Sequence, residues 1–289
     1  MNKFSLTLTT LLIGMMWPLQ AQQHQEPRIL QKQNLVAWCI VPFDALQRGP
    51  IERADMLKNL GITKLAYDWR TKDIPTFDAE VAALQGAGID LHAFWCPLDS
   101  LKPLEEENVR IILDLLRRHS LRTQLWVMLA PQALEGVEGQ DRVKVASEAI
   151  GELAKEAQKT GSTIGLYNHG GWFGNPENQI AIIQSLEVPN VGIVYNFHHG
   201  HRDIQRFPAL LAEMKPHLLT LNLNGMTVGG PQILPLGKGE HELEMIREVL
   251  KSGYSGPIGI LGHQKERDAR EVLEENLLGL EILSNKLED

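Results

Sequence analysis

The sequence is poor in cysteine, in basic residues and in long apolar runs. Lys and Arg number 28 against 36 Asp and Glu, a formal net charge of −8, and no basic run interleaves with aromatic residues. A surface of this kind does not match a phosphate backbone, so we expect no nucleic-acid partner. After the N-terminal region no stretch approaches the ~20 apolar residues needed to cross a bilayer, so no membrane span is predicted.

The only two cysteines, Cys39 and Cys96, lie in the apolar runs VAWCIVP and LHAFWCP rather than at CxxC or metal-ligand spacing. An exported protein could pair them in a disulfide. We predict two buried free thiols instead, because the residues fall on the first and third predicted strands, which are not adjacent.

The N-terminal residues have the features of a secretory signal. Lys3 precedes an apolar centre at residues 11–17, and the small residue Ala21 marks a cleavage position. We therefore predict a signal peptide at residues 1–21, a short extension at 22–33 and an exported, periplasmic or secreted product. A retained amphipathic N-terminus is the alternative.

Short β-branched runs alternate with amphipathic stretches along the rest of the chain. Eight strands are predicted at 34–42, 62–69, 89–96, 122–129, 162–169, 191–197, 218–225 and 256–263. Several intervening helical patterns end in a glycine, as at Gly61, Gly88, Gly161 and Gly253, which is typical of a left-handed helix stop. The pattern predicts a single α/β domain, a (β/α)8 TIM barrel, over residues 34–289. A doubly wound open sheet is the alternative, but no GxGxxG loop follows the first strand, and no nucleotide cofactor is expected.

In such a barrel the reactive groups lie where strands end and βα loops begin. The predicted strand ends are rich in imidazoles, amides and indoles, and three histidines occur within four positions of the segment FHHGH. The candidate site residues are Asp68, Arg70, His92, Trp95, Asn168, His169, Trp172, Asn196, His198, His199, Asn222, Asn224 and His263. Any one of them could have a structural role, but so many on one face indicate a site, because buried polar groups without partners are costly.

Five segments, IGLYNHGGW, YNFHHGH, LNLNG, LPLGKGE and GYSGPIGILGH, resemble the xylose isomerase-like TIM barrel superfamily of sugar isomerases and epimerases. In the epimerases, carboxylates and histidines hold a divalent ion and two glutamates move the proton. Those family positions fall here on Tyr167, Asn196 with His199, Asn222 and Leu261, of which only His199 matches. The resemblance therefore implies an exported, divergent branch that lacks the usual carboxylate metal ligands.

Because side chains in a strand alternate, the residue two positions beyond each lost ligand points to the same side. Those residues are His169, His198, Asn224 and His263. Three neutral imidazoles suit Zn²⁺, Mn²⁺, Ni²⁺ or Fe²⁺, so His169, His198 and His263 are candidate ligands of one divalent ion. Alternatively no metal binds, and the histidines hydrogen-bond sugar hydroxyls and move protons.

The strand-end tryptophans and amides favour a carbohydrate ligand. The resemblance implies proton abstraction beside a sugar carbonyl, giving isomerisation or epimerisation, or β-elimination of a 3-keto-glycoside. His199 or His169 is the predicted base, and Arg70, His263 or a metal would hold the oxyanion. The residues predicted to contact the sugar are Asp68, His92, Trp95, Asn168, Trp172, Asn196, Asn222, Asn224 and Lys238.

Two other functions are alternatives to this reaction. Glycoside hydrolysis is disfavoured because Asp68 is the only clear strand-end carboxylate, where that reaction needs two. A non-catalytic sugar-binding barrel is the alternative from a different class, although recognition alone has no need of groups that titrate near neutral pH.

Overall fold

The structure, a computed structural model, describes residues 27–287, so the predicted signal peptide at 1–21 lies outside the described residues. Eight parallel strands close into a barrel in sequence order, which confirms the predicted (β/α)8 fold. The strands are β1 Leu35–Trp38, β2 Lys64–Tyr67, β3 Asp90–Leu98, β4 Gln124–Leu129, β5 Thr163–Tyr167, β6 Val191–Asn196, β7 Leu218–Leu223 and β8 Ile258–Leu261. Pairing of β1 with β8, from Leu35 opposite Ile258, closes the barrel.

One helix follows each strand and covers the outside of the barrel. The helices are α1 Pro50–Leu60, α2 Phe77–Ala87, α3 Glu107–Arg118, α4 Asp141–Gln158, α5 Pro176–Gln184, α6 Phe207–Met214, α7 Glu242–Lys251 and α8 Ala269–Lys286. Gly61 and Gly88 end α1 and α2 with φ of 74° and 72°, the left-handed conformation predicted for them. Among residues 27–287 we find no helix with the length and apolarity to cross a membrane.

The barrel interior is packed with aromatic side chains against small residues. Trp38, Trp126 and Tyr167 lie in one cluster with the small residues Ala66 and Ala93. At Gly165 an added Cβ would lie 2.6 Å from the Val194 side chain and 3.2 Å from the Trp126 ring, so a larger residue there would collide with Val194 and crowd the indole. The interior is therefore filled up to the level of Tyr167, and open space begins above it.

Both cysteines are free and buried. Cys39 directly follows β1 and Cys96 lies in β3, and β2 runs between these two strands. The prediction of two unpaired thiols on non-adjacent strands is confirmed.

Candidate active site

A cavity of about 130 Å³ opens at the C-terminal end of the barrel. Because the carboxyl ends of parallel strands meet at one rim, side chains distant in sequence converge there. Eight of the predicted site residues line the cavity: Asp68, Arg70, Trp95, His169, Asn196, His198, His199 and His263. Their roles in catalysis or binding stay predictions.

Four histidines form a continuous cluster across one wall. The ring centroids of His169 and His199 are 4.5 Å apart, those of His198 and His199 4.3 Å, and those of His198 and His263 5.8 Å. His169, His198 and His263 each lie two residues beyond the last residue of a strand, in the loop that follows it, and the strand ends that converge at the rim bring them together. His201, the remaining histidine of FHHGH, turns away, and its Nε2 contacts the Thr227 carbonyl at 2.6 Å.

The environment of these imidazoles keeps them neutral. Burial, followed by the charges of neighbouring histidines, lowers the pKa of His199 to about 2 and that of His198 to about 4. Partial burial also lowers the pKa of His169 and of His263. At neutral pH each ring is therefore uncharged and has one nitrogen able to accept a proton.

Asn196, the last residue of β6, fixes the loop that carries His198 and His199. Its Oδ1 accepts from the His198 amide at 3.0 Å, and its backbone carbonyl accepts from the His199 amide at 3.1 Å. Asn168 supports it from the next strand, with its Oδ1 accepting from the Asn196 amide at 2.8 Å. The position of the two imidazoles therefore depends on an amide that is buried and hydrogen-bonded on both sides.

Since its Oδ1 is an acceptor, the Asn196 Nδ2 must be the atom that donates to the Tyr167 hydroxyl, at 2.6 Å. The same hydroxyl accepts from Trp38 Nε1 at 2.9 Å. Burial raises the pKa of Tyr167, so its phenol stays neutral. A neutral phenol with two N–H donors thus occupies the position of a family carboxylate.

Asp68 lies on the opposite wall and is 2% exposed. Its Oδ1 accepts from the Val41 amide at 3.3 Å, while its Oδ2 has no hydrogen-bond partner within residues 27–287. Burial is the main cause that raises the pKa of Asp68 to about 7, and Arg70 opposes that rise. The side chain can therefore exist in either protonation state near neutral pH.

Arg70 is held at the mouth of the cavity. Its Nη1 donates to the backbone carbonyls of Asp68 and Trp69 at 2.8 and 2.9 Å, and its guanidinium carbon lies 5.9 Å from the Phe43 ring centroid. The Phe43 ring packs in turn on His263, with centroids 3.8 Å apart. The other guanidinium N–H groups make no hydrogen bond to the described part of the chain and can bind a ligand oxygen.

Three predicted contacts lie elsewhere. His92 is near the N-terminal end of β3, where its ring contacts Asp90 and Gln124 at 3.3 and 3.2 Å, because β3 continues six residues beyond it, to Leu98. Trp172 lines a different cavity, together with Phe173, in the loop after β5. Lys238 is an exposed loop residue outside the lining of the cavity.

Three predicted asparagines lie behind the cavity wall. Asn168 holds Asn196, and the Asn224 amide donates to the loop carbonyls of Gly225 and Gln232 at 2.9 and 2.8 Å. Asn222 is fully buried, and an added Cβ on Gly259 would collide with its Oδ1. None of the three is among the residues that line the cavity, and both side-chain polar atoms of Asn222 have no hydrogen-bond partner within residues 27–287. Their contacts with a sugar stay predictions.

Five lining residues were not predicted as site residues: Trp38, Cys39, Phe43, Tyr167 and Leu261. Trp38, Tyr167 and Leu261 are strand residues that point inward, and a count of alternate strand positions in the sequence could have identified them. Cys39 has a positive φ of 57°, uncommon for a non-glycine residue, and no sequence pattern indicates it.

The side chains do not fit the divalent ion that the histidines and the family resemblance predict. At the family positions Tyr167 is a neutral phenol that accepts from two donors, the Asn196 Oδ1 already accepts from the His198 amide, and the Leu261 side chain has no ligand atom. Within residues 27–287 no three His, Cys, Asp or Glu side chains are arranged to hold a metal ion. These side chains therefore provide no set of ligands for a divalent ion.

Comparison with known proteins gives a family and a fold. Residues 54–280 match the family described as xylose isomerase-like TIM barrel. No curated protein sequence matches the chain significantly. Similar solved structures include the 3-keto-D-glucoside 4-epimerase YcjR from E. coli, with a TM-score of 0.63 and 14% identity over 87% of this chain and 100% of that one.

Two further structures have the same fold. D-psicose 3-epimerase from Clostridium cellulolyticum H10, solved with D-tagatose, has a TM-score of 0.63 and 14% identity over 88% of this chain and 99% of that one. The IOLI protein with a bound zinc atom has a TM-score of 0.66 and 14% identity over the same shares, 88% and 99%. At such low identity these likenesses show the fold alone.

Proposed function

Because the chain belongs to the xylose isomerase-like TIM barrel family, we propose that it is a carbohydrate-active enzyme that removes a proton from the carbon beside a sugar carbonyl. The observation that carries the proposal is the cavity in which four neutral imidazoles face Arg70 and the buried carboxyl Asp68. Removal of the proton requires a base and a cation that stabilises the oxyanion, and a carboxyl that can hold a proton serves a departing group.

His199 is the proposed base. It is the most buried of the cluster, its neighbours His169 and His198 disfavour charge on it, and Asn196 fixes its backbone. A neutral imidazole with a low pKa is a weak base in the resting enzyme. The negative charge that develops on the substrate oxygen must therefore raise the basicity of His199 as the proton is transferred. His169, 4.5 Å away between ring centroids, is placed to share the proton.

Arg70 and His263 are the proposed stabilisers of the oxyanion. Removal of the α-proton leaves an enediolate whose negative oxygen needs donors. Arg70 offers guanidinium N–H groups that the described chain leaves unused, and His263 lies beside it against Phe43. The same oxyanion would favour a proton on the imidazole base.

Asp68 is the proposed acid. In β-elimination from a 3-keto-glycoside, the base takes the C2 proton and the enolate re-forms the C3 carbonyl. The C1–O bond then breaks to leave a C1=C2 double bond, and the departing oxygen takes a proton from Asp68. In isomerisation or epimerisation the proton instead returns to carbon. The unpartnered Oδ2 of Asp68 in the cavity wall supports this role.

Neither a metal nor a non-catalytic role is part of the proposal. The donors do not fit a divalent ion, although the related IOLI structure holds zinc. A binding barrel has no need of a buried carboxyl in the cavity wall whose Oδ2 lacks a hydrogen-bond partner within residues 27–287. We also propose that the enzyme is exported, on the basis of the signal-like segment at residues 1–21.

Isotope exchange tests the reaction. The enzyme is incubated in D2O with 3-keto-glucosides and common ketoses, with and without Mn²⁺, Zn²⁺ or Ni²⁺. We expect deuterium beside the carbonyl of recovered substrate or product. A panel with neither exchange nor turnover would contradict the catalytic proposal and favour a sugar-binding protein.

A further inference from the structure

A second cavity, of about 520 Å³, adjoins the candidate active site on the side of β2 and β3. Arg70 and Trp95 line both cavities, so the two spaces share a wall. We call the second space the β2–β3 groove; its wall includes Trp69, Trp95, Asp99, Ser100, Asn108 and Ile111.

The sizes of the two cavities indicate how a substrate is divided between them. Small-molecule sites usually have volumes of roughly 300–1,000 Å³. At about 130 Å³ the inner cavity is below that range, whereas the groove, at about 520 Å³, is within it. The inner cavity therefore suits the reacting end of one sugar, and any group attached to that sugar would extend past Trp95 and Arg70.

The aromatic part of the groove is held in place before any ligand binds. Trp69 donates from Nε1 to the Trp95 carbonyl at 2.7 Å and packs edge-on against Phe77, with centroids 5.4 Å apart. Trp95 packs against Trp38 and Tyr167 with centroids 5.8 and 5.2 Å apart. Trp69 is buried, so the partly exposed Trp95 indole is the one that offers fixed apolar surface to the C–H face of a sugar, at little entropic cost.

The polar part of the groove is built by one carboxylate. Glu106 accepts from the backbone amides of Asp99 and Ser100 and from the Ser100 hydroxyl, at 2.9 to 3.1 Å. These bonds fold the loop after β3, and the side chain of Asp99 stays exposed at the groove. The wall thus offers carboxylate and amide acceptors to hydroxyl groups.

The charge of the groove wall selects among the groups that could be attached to the sugar in the inner cavity. Asp99, Glu106 and Glu107 all line the groove, and Arg70 is its only cation among the described residues. A phosphate or a uronate would meet this acidic wall at unfavourable electrostatic cost, and a neutral polyol would not. The combination of indoles and acidic acceptors therefore favours a neutral sugar.

We propose that the β2–β3 groove binds the leaving group of the substrate, a neutral sugar residue joined to the sugar in the inner cavity. This inference rests on the proposed function and names its substrate class as oxidised disaccharides or longer glycans. The attached sugar lies over Trp95, which the buried Trp69 holds in place, with its hydroxyls toward Asp99.

Selectivity between two substrates tests the groove. The kcat/KM for 3-keto-cellobiose is compared with that for methyl 3-keto-glucoside, whose methyl group is too small to occupy the groove. We expect the wild type to favour the disaccharide by about 10-fold or more, the scale of a filled pocket. Ile111→Trp, which fills the groove, should lower that preference about 10-fold, and Arg110→Trp, an exposed neighbour on the same helix outside the lining, should keep it.

A second variant covers the case in which Ile111→Trp does not fold. Asp99→Ala removes an exposed carboxylate and should lower the preference by about 3- to 10-fold, the scale of one hydrogen bond. Dissociation constants of both ligands, measured by calorimetry in His199→Gln, report binding without turnover.

The outcomes separate the two proposals. Turnover with equal kcat/KM and equal dissociation constants for both ligands would contradict binding of the leaving group in the β2–β3 groove. It would still support the proposed reaction. Groove-dependent binding of the disaccharide without turnover or exchange supports the groove and contradicts the reaction. If neither ligand binds or reacts, both proposals are wrong.

Discussion

The side-chain amide of Asn196 donates to the hydroxyl of Tyr167 at 2.6 Å, with both residues 1% exposed. In the related epimerases the resemblance places carboxylates at these two positions. Here an amide and a phenol satisfy each other, so the polar interior below the cavity is neutral. The same amide fixes the loop of His198 and His199, which links this pair to the proposed base.

Removal of the Tyr167 hydroxyl should therefore destabilise the barrel. Tyr167→Phe leaves the Trp38 indole N–H and the Asn196 amide buried without their acceptor, a cost of about 1–3 kcal/mol for each such group. Urea denaturation should show a drop of that order in the free energy of unfolding. Tyr195→Phe is the matched control, because the Tyr195 hydroxyl is equally buried and has no partner within residues 27–287. Equal effects of the two substitutions would contradict the argument.

Replacement of the proposed base should lower turnover without loss of fold. A general base contributes about 10²- to 10⁴-fold, so His199→Gln should lower kcat by that order while the far-ultraviolet circular dichroism stays unchanged. His217→Gln is the control, since His217 precedes β7 at the other end of the barrel. A loss below 10-fold for His199→Gln would move the role to His169.

Asp68 should make the protein less stable as pH rises. The folded pKa of about 7 is above the unfolded value of 3.8, so the folded state holds its proton more tightly. The resulting cost is absent below pH 3.8, grows between the two pKa values and is complete above the folded one. Asp68→Asn keeps an acceptor for the Val41 amide and cannot ionise. Between pH 5 and pH 8 its stability relative to the wild type should rise by about 3 kcal/mol, measured by urea denaturation. A difference independent of pH would contradict a raised pKa.

The fold and eight of the thirteen residues that line the cavity could be predicted, because strand periodicity indicates both. Strand alternation placed His169, His198 and His263 on one wall from the sequence alone. His92 was misplaced because the run IDLHAFWC does not show that β3 continues to Leu98. Trp172, Asn224 and Lys238 lie in loops, whose path depends on local hydrogen bonds such as those of the Asn224 amide. The raised pKa of Asp68 depends on burial, which a sequence does not contain.

Both thiols should resist alkylation in the folded protein. Burial raises the pKa of Cys96 to about 12 and that of Cys39 well above its usual value, and the Asp68 carboxyl adds to the effect on Cys39. Since the thiolate is the reactive form, iodoacetamide at pH 8 should add nothing to the native chain. After unfolding without reductant, mass spectrometry should show two added groups. One added group, or none, would indicate that a cysteine is oxidised. Labelling of Cys39 in the native chain would contradict its burial.

The pH dependence of the reaction should separate the base from the acid. His199 and His198, with pKa values lowered to about 2 and about 4, stay neutral down to acidic pH, so no acid limb is expected near the ordinary histidine value of 6.5. Asp68 must be protonated to donate to a leaving oxygen, so kcat/KM for elimination should fall tenfold per unit above its pKa of about 7. Exchange of the α-proton into D2O needs no such donor and should keep its rate over the same range. In the Asp68→Asn variant, elimination should be slow and should lack this fall at basic pH, whereas exchange of the α-proton should persist. A basic limb shared by elimination and exchange in the wild type would show that the titrating group acts on the α-proton, and it would remove Asp68 from the role of acid.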